Sequence, residues 1–168
     1  MRLKNATSWM MAFALLAAGC TVEERADRDN ETASAPKPRK EIIQPEGVTR
    51  LPVFSTAVRS GNLIFLSGAI GALPNVLPPT LIEGGIVPEA RLAMDNLYVG
   101  LEAAGVGWED VVKCTVFLAD MVDYGPFNEV YLEYFPSDPP ARSAMSVRGL
   151  AFDARVEVEC IAAVPEGS

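Results

Sequence analysis

Residues 88–120, PEARLAMDNLYVGLEAAGVGWEDVVKCTVFLAD, decide the fold because they contain two hydrophobic periodicities in succession. Apolar residues first recur at helical spacing, behind a proline that suits a first helical turn and ahead of Gly105 as a stop. From Val111 onward the pattern changes to that of a β-strand. The stretch therefore predicts a helix followed by a strand. The residues that define the apolar face of the helix are Ala90, Ala93, Met94, Leu97, Leu101 and Ala104.

Two β-rich runs precede this stretch. VFSTAV at residues 53–58 and NLIFLSGA at residues 62–69 flank a short turn, which is typical of a hairpin. Residues 71–85 are rich in proline and glycine and predict a long surface loop, the kind of segment that often borders a site.

A shorter helix and two strands follow it. Asp123 and Pro126 begin the helix, and residues 141–149 and 154–164 carry the strand patterns. The element order predicts an α+β domain with a single mixed β-sheet and both helices on one face. The other face of that sheet requires a partner.

Alternation along the last strand assigns its residues to two opposite faces. Glu157 and Glu159 fall on one face and Cys160 on the other. The same alternation places Cys114 with Val112, Val116 and Leu118, so both cysteines are predicted to be core residues that behave as small hydrophobes. A Cys114–Cys160 disulfide requires adjacent strands, and the sequence does not establish that adjacency.

Composition excludes several kinds of protein. The chain has 168 residues, a formal net charge of −8 and no histidine. This length fits one domain with its own core. The absence of histidine excludes Ser/His/Asp and Cys/His nucleophiles and histidine zinc sites, and three spaced cysteines do not make a cysteine-only site, so we expect no zinc site of these kinds. The acidic balance also argues against a nucleic-acid partner.

The N-terminus has the features of an export signal. Residues 1–19 contain a positive start and a short apolar run that ends in small residues. LLAAGC resembles a bacterial lipobox in which Cys20 would be acylated, and the alternative is an ordinary signal cleaved near Ala18. Residues 20–40 are charged and proline-containing, and they read as a disordered tether before a domain at residues 41–168. We therefore expect an exported, membrane-anchored envelope protein.

Without histidine, the candidates for chemistry are arginine and carboxylates. Arg142 follows two prolines at the start of a strand, and a fixed guanidinium binds a carboxylate with two parallel N–H bonds. Glu157 and Glu159 share a strand face, and the alternative to a role in chemistry is that this is the solvated face of an edge strand.

From about Glu41 to Val164 the chain resembles the RidA/YjgF family of imine deaminases, in several segments and in the same order. The segments are VRSGNLIFLSG, NLYVGLEAAG, DVVKCTVFLADM, FNEVYLEYFP, PARSAMSV and VEVECIAAV. The resemblance implies a homotrimer whose sheets pack around a central axis, with ligand clefts between subunits. It also implies cofactor-free hydrolysis of 2-imino acids, or their enamine tautomers, to 2-keto acids and ammonia.

The resemblance also implies roles for individual residues. Arg142 matches the arginine that binds the substrate carboxylate, and Glu157 matches the glutamate near the imine and the attacking water. The pocket would be lined by Ser67, Gly68, Asn128 and the backbone near Ala144.

Two positions depart from the family pattern. Phe54 stands where the family has a tyrosine, and Ala69 stands where it has a glutamine. The loss of these polar groups suggests a larger or more apolar substrate side chain. The same loss of polar groups favours an alternative function, that of a trimeric small-carboxylate-binding module without catalysis. A third function, the ribonuclease activity attributed to some relatives, is disfavoured by the charge and by the absence of histidine.

Overall fold

The strands of the domain form one sheet, with two helices on one of its faces. The computed structural model describes residues 40–48 and 52–165, so the predicted signal, the tether and Cys20 lie outside the described residues apart from Lys40. The strands are β1 (Glu41–Ile43), β2 (Ala57–Ser60), β3 (Leu63–Leu66), β4 (Ala69–Ile70), β5 (Val111–Leu118), β6 (Ala141–Ser146) and β7 (Val156–Ala163). The helices are α1 (Ile86–Ala103) and α2 (Tyr124–Tyr134).

The sheet is mixed, as the element order predicts. Its strand order is β1-β2-β3-β7-β5-β6, and β4 pairs with β7 beside the end of β3. Strands β5 and β6 run parallel, whereas the other described pairs are antiparallel. The final strand in sequence therefore lies at the centre of the sheet, and β6 lies at an edge.

Helix α1 matches the predicted helix closely. It begins at Ile86, two residues before the proline, and ends in a Schellman motif at Gly105, whose φ is +73°. The Val106 N–H donates to the Leu101 carbonyl at 3.1 Å, and the Gly105 N–H donates to the Glu102 carbonyl at 2.9 Å.

No helix within the described ranges is long and apolar enough to cross a bilayer.

The core lies between the helices and one face of the sheet. Alternate residues of β7, from Val156 to Ala162, are buried against it together with residues of both helices. The prediction for Val112 was wrong. Its side chain is exposed because a β-bulge between Val111 and Lys113 shifts the alternation, and Val111 takes the buried position.

The hairpin is shorter than predicted. Strand β2 begins at Ala57 rather than at Val53, and Ala57 pairs with Leu66, the last residue of β3. The chain bends at Ser67 and Gly68 before β4, so residues ahead of Ala57 have no ladder partner in β3. This bend is what separates β3 from β4, and it lies beside the central strand.

Cys114 and Cys160 are both core residues and disulfide partners. Cys114 and Cys160 are directly opposite each other on β5 and β7, they are buried in the core, and they form a disulfide. The register shows the adjacency that the sequence could not establish. The bond closes a sequence separation of 46 residues, which in the loop-entropy model corresponds to about 4 kcal/mol of stabilisation.

Candidate active site

Arg142 lies on the edge strand β6, on the face that the helices cover. It pairs in register with Cys114, whose side chain points into the core. Pro139 and Pro140 lead into the strand and restrict the backbone that carries the guanidinium. Ala144 lies two residues further along the same strand, so it falls on the same face and is half-buried.

Helix α2 holds the Arg142 guanidinium by hydrogen bonds. Its Nη2 donates to Asn128 Oδ1 at 2.7 Å and to the Tyr124 hydroxyl at 3.3 Å. Among the described residues, no Asp or Glu forms an ion pair with Arg142. Neutral groups thus orient the guanidinium. Because no carboxylate of the described residues pairs with it, it can bind an anionic ligand. The structure brings the predicted residues Arg142 and Asn128 together.

Aromatic rings surround the same guanidinium. Its central carbon lies 4.6 Å from the ring centroid of Tyr131 and 5.7 Å from that of Tyr124, within the range of cation–π contact. Phe127 is at 5.9 Å. Burial raises the pKa of Tyr131 to about 12, although the nearby Arg142 charge opposes the shift. Phe127 and Tyr131 are buried residues of α2, and the sequence offered no signal that their rings face an arginine.

Glu157 lies on the central strand β7, on the open face of the sheet. Its carboxylate rests against Gly68, where an added Cβ would overlap Oε1 of Glu157. Gly68 therefore permits the close approach, which no other residue would allow without movement. Glu157 accepts no hydrogen bond within the described residues, so its oxygens are available to water or a ligand.

Ser67 and Phe54 lie beside this pair. The Ser67 hydroxyl donates to the Ser55 carbonyl at 2.7 Å, which fixes the bend ahead of Gly68. A polar cleft here is lined by Lys40, Pro52, Val53, Phe54, Ser55, Val58 and Ser67. Phe54, Ser67 and Gly68 also border a second, mainly apolar cavity on the side of α1. The structure thus groups Phe54, Ser67, Gly68 and Glu157.

The two groups of predicted residues lie on opposite faces of one subunit's sheet. Arg142 shares a face with Cys114 and Cys160, which are opposite each other in the ladder. Glu157 is an odd number of residues from Cys160, so it projects from the other face. A single small ligand cannot contact both side chains within one chain.

Sequence reasoning missed Glu89, a buried carboxylate on α1. Its Oε1 accepts the Arg155 backbone N–H at 2.6 Å and, more weakly, that of Val156 at 3.4 Å, directly before Glu157. Arg155 in turn pairs with buried Asp123 at 3.0 Å. The signal was present, because Glu89 is one turn before Ala93 on the apolar face of the helix. These contacts anchor the start of β7 and hence the backbone of Glu157.

No cluster suited to a metal occurs in the described ranges. No three His, Cys, Asp or Glu side chains of residues 40–48 and 52–165 lie close enough together to hold an ion. The groups that can act chemically here are the Arg142 fork, the Glu157 carboxylate and the polar backbone around Gly68.

Comparison with known proteins agrees with the fold and with the resemblance. The family model described as endoribonuclease L-PSP matches residues 48–164. The mouse 2-iminobutanoate/2-iminopropanoate deaminase is 42% identical over 124 residues, which cover 74% of this chain and 90% of the mouse protein. The Arabidopsis thaliana chloroplastic Reactive Intermediate Deaminase A is 35% identical over 132 residues, 78% of this chain and 70% of that protein.

A solved structure extends the match to the whole fold. The crystal structure of Escherichia coli TdcF with bound serine superposes with a TM-score of 0.68 at 29% identity, covering 74% of this chain and 99% of that one. The names of the relatives support the expectation that this chain is an enzyme. On the family model, the identities and the shared fold, the chain belongs to the RidA/YjgF family, whose model carries the description endoribonuclease L-PSP.

Proposed function

We propose that this protein hydrolyses 2-imino acids, or their enamine tautomers, to 2-keto acids and ammonia. The observation that carries the proposal is the Arg142 guanidinium, which is oriented by Asn128 and Tyr124 and has no carboxylate partner among the described residues. Such a fork suits the planar carboxylate of a 2-imino acid. Relatives that are themselves named imine deaminases support the same chemistry.

Glu157 supplies the proton transfers in this proposal. Water adds to the imine carbon, its oxygen forms the new C–O bond, and Glu157 takes the released proton. The resulting carbinolamine receives that proton on nitrogen. As the C–N bond breaks, Glu157 takes the hydroxyl proton, so the carbonyl forms, and it then passes this proton to the departing ammonia. Atoms and charges balance without a co-reactant. Because the iminium carbon is already electrophilic, positioning and proton transfer account for the catalysis.

The complete site is proposed to lie between two subunits. Arg142 and Glu157 project from opposite faces of one sheet, so a ligand that meets both takes them from different chains. The open face carries apolar side chains in a cross-strand row, Ile42, Val58, Phe65 and Ile161, that suits a neighbouring sheet. Phe65 is 42% exposed in the isolated subunit. These features support the homotrimer implied by the resemblance.

The experiment follows semicarbazone loss while an amino-acid oxidase generates imines from several amino acids. We expect the protein to accelerate imine decay and Arg142→Ala to reduce kcat/KM by roughly 100- to 1000-fold, since a charge-assisted pair to the substrate is lost. Arg148→Ala is the matched control, because Arg148 is exposed and forms no ion pair in the described residues.

Two results would contradict the deaminase. Arg142→Ala with undiminished turnover would exclude the assigned residue. Binding of 2-keto acids without any faster imine decay would favour the small-carboxylate-binding module, which the apolar residues Phe54 and Ala69 make the alternative. An endoribonuclease role, named in the family description, is disfavoured by the net charge of −8.

We also propose that the protein is exported and anchored in the bacterial envelope through acylated Cys20. The signal-like residues 1–19 support this, and so does the Cys114–Cys160 disulfide, since such bonds persist mainly in oxidising compartments. Fractionation of cells that express the wild type and Cys20→Ser tests it. We expect the wild type in the membrane fraction and the variant released. An unprocessed, cytoplasmic wild type would reject the proposal.

A further inference from the structure

Two neutral acceptors engage the nitrogen of Arg142 that a carboxylate needs. Nη2 donates to Asn128 Oδ1 at 2.7 Å and to the Tyr124 hydroxyl oxygen at 3.3 Å, which together use its two hydrogens. A guanidinium binds a carboxylate with two parallel N–H bonds either through both terminal nitrogens or through Nε and Nη2. Both arrangements use a hydrogen of Nη2, so a bound carboxylate must replace one of the two acceptors.

The two acceptors differ in strength. The bond to Asn128 has an ordinary length, whereas 3.3 Å exceeds the usual range of an N–H···O hydrogen bond. A carboxylate oxygen is a stronger acceptor than a neutral hydroxyl. The contact with Tyr124 is therefore the one that a carboxylate displaces, while Asn128 keeps the guanidinium oriented.

The Tyr124 hydroxyl also has an unused proton. A phenol donates one hydrogen bond and accepts others. Its oxygen accepts from Arg142, and its own O–H has no acceptor among the described residues. The side chain is 37% exposed, so this proton is open to a ligand. Because the hydroxyl oxygen lies 3.3 Å from Nη2, a carboxylate oxygen bound to the same nitrogen comes within reach of the O–H.

The backbone of Tyr124 is held in place before any ligand binds. Tyr124 is the first residue of α2, and the preceding Asp123 pairs with Arg155 at 3.0 Å. Asn128 is four residues further along the same helix, so both side chains lie on the face that contacts Arg142. The exchange thus requires rotation of one O–H bond and a small shift of one side chain, without movement of the helix.

We propose that the Tyr124 hydroxyl donates a hydrogen bond to the ligand carboxylate that Arg142 binds, changing from acceptor to donor as the ligand arrives. The inference rests on the proposed function and adds a second side chain to its carboxylate site. Substrate and product share this carboxylate, so Tyr124 stabilises the ground state and the transition state alike. Its loss therefore weakens binding and leaves the chemical step unchanged.

Tyr124→Phe removes only the hydroxyl. We expect KM for the imine of 2-aminobutyrate and Kd for 2-ketobutyrate each to rise about tenfold, since a hydrogen bond to a charged group is lost. We expect kcat to stay within about twofold. Imine hydrolysis and isothermal titration calorimetry with the purified full chain measure these constants. A merely structural role of the hydroxyl would lower kcat or stability without raising KM and Kd together.

Tyr98→Phe is the matched control. Tyr98 is 39% exposed on α1, and its hydroxyl forms no hydrogen bond within the described residues. Its ring contacts Trp108, whereas the rings beside Arg142 belong to α2. The variant removes the same atom from a tyrosine of similar exposure, so KM, Kd and kcat should all stay at their wild-type values.

The outcomes separate this inference from the function beneath it. Unchanged or tighter binding of 2-ketobutyrate by Tyr124→Phe would overturn the inference, because the hydroxyl would then only compete for Nη2. Weaker binding by Tyr124→Phe, with no imine accelerated by the wild type, would overturn the deaminase and support Tyr124 as a carboxylate ligand. A wild type that neither binds 2-ketobutyrate nor hydrolyses imines would overturn both.

Discussion

The regions around Arg142 and Glu157 are built on different principles. Arg142 is held from several directions, by hydrogen bonds to Asn128 and Tyr124 and by the ring of Tyr131. Glu157 has no hydrogen-bond partner in the described residues and rests on the bare backbone of Gly68. Attractive contacts orient Arg142, whereas the space that Gly68 leaves open sets the position of Glu157.

This difference fits the two parts of a 2-imino acid. The carboxylate is the same in every substrate, and a pre-oriented cation binds it with little loss of side-chain entropy. A group that accepts and returns a proton benefits instead from free oxygens that can reach water. A fixed guanidinium and an unpaired carboxylate can therefore serve one reaction from opposite faces of a sheet, provided that two subunits meet.

Gly68→Ala would disrupt the Glu157 region through the backbone that supports it. The new Cβ would overlap the Glu157 carboxylate and displace it, so we expect kcat to fall about 100-fold, the scale of an ångström-sized misplacement. Gly125→Ala is the matched control, because nothing lies within 4 Å of a Cβ at that position. Steady-state imine hydrolysis measures both. Unchanged kcat in Gly68→Ala would show that Glu157 has no part in the reaction.

Mixing subunits would test whether the two residues act in one shared site. Arg142→Ala and Glu157→Gln should each be nearly inactive, yet trimers that contain both variants should regain roughly a third of the wild-type activity, since one of the three sites in each mixed trimer contains both intact residues. The assay uses trimers purified after co-expression with two different tags. Absence of recovery in verified mixed trimers would place both residues in one subunit's site or outside the site.

The disulfide joins β7, which carries Glu157, to β5, the neighbour of the strand that carries Arg142. Removing it with the double variant Cys114→Ala/Cys160→Ala should destabilise the protein by about 4 kcal/mol and lower Tm by roughly 10 °C. Activity at 25 °C should stay within about twofold, because both sulfurs are buried in the core away from the clefts. Thermal unfolding and imine hydrolysis check the two parts. An unchanged Tm would contradict a structural role for the bond.

Substitutions of Tyr131 are expected to have the smallest effect on activity, and they separate the role of its ring from that of its hydroxyl. Its buried hydroxyl has no partner in the described residues, and burial raises its pKa to about 12, so it stays neutral at any working pH. Tyr131→Phe should keep kcat/KM within about twofold and leave stability equal or up to about 1 kcal/mol higher. Tyr131→Leu removes the ring and should cost up to about tenfold. Equal losses in both variants would show that the hydroxyl matters and the ring face does not.

Much of the fold followed from local pattern. The period of α1, the stop at Gly105 and the alternation of β7 are short-range properties, and the structure confirms them. The bulge beside Val112 was not predictable, because it arises from how β5 fits its neighbour rather than from its own residues. The bend at Ser67 and Gly68 likewise shortened the predicted hairpin through contacts with β7.

The site was predictable only in part. Residue chemistry pointed to Arg142 and Glu157, and the family resemblance implied their roles, while the ring contacts of Tyr131 depend on α2 lying against an edge strand. Glu89 lies on the apolar face of its helix, and a carboxylate at such a position is a signal that the sequence shows. Its hydrogen-bond partners, however, are backbone N–H groups 66 and 67 residues away. Such partners follow from topology and not from composition.

By itself the sequence determined the helices, the strand patterns, the acidic charge and the lack of histidine chemistry. Tertiary structure alone decided that β7 lies between β3 and β5, that Cys114 meets Cys160, and that Arg142 and Glu157 point from opposite faces. The reason is physical: periodicity specifies which face of an element is buried, whereas strand order and register come from long-range packing.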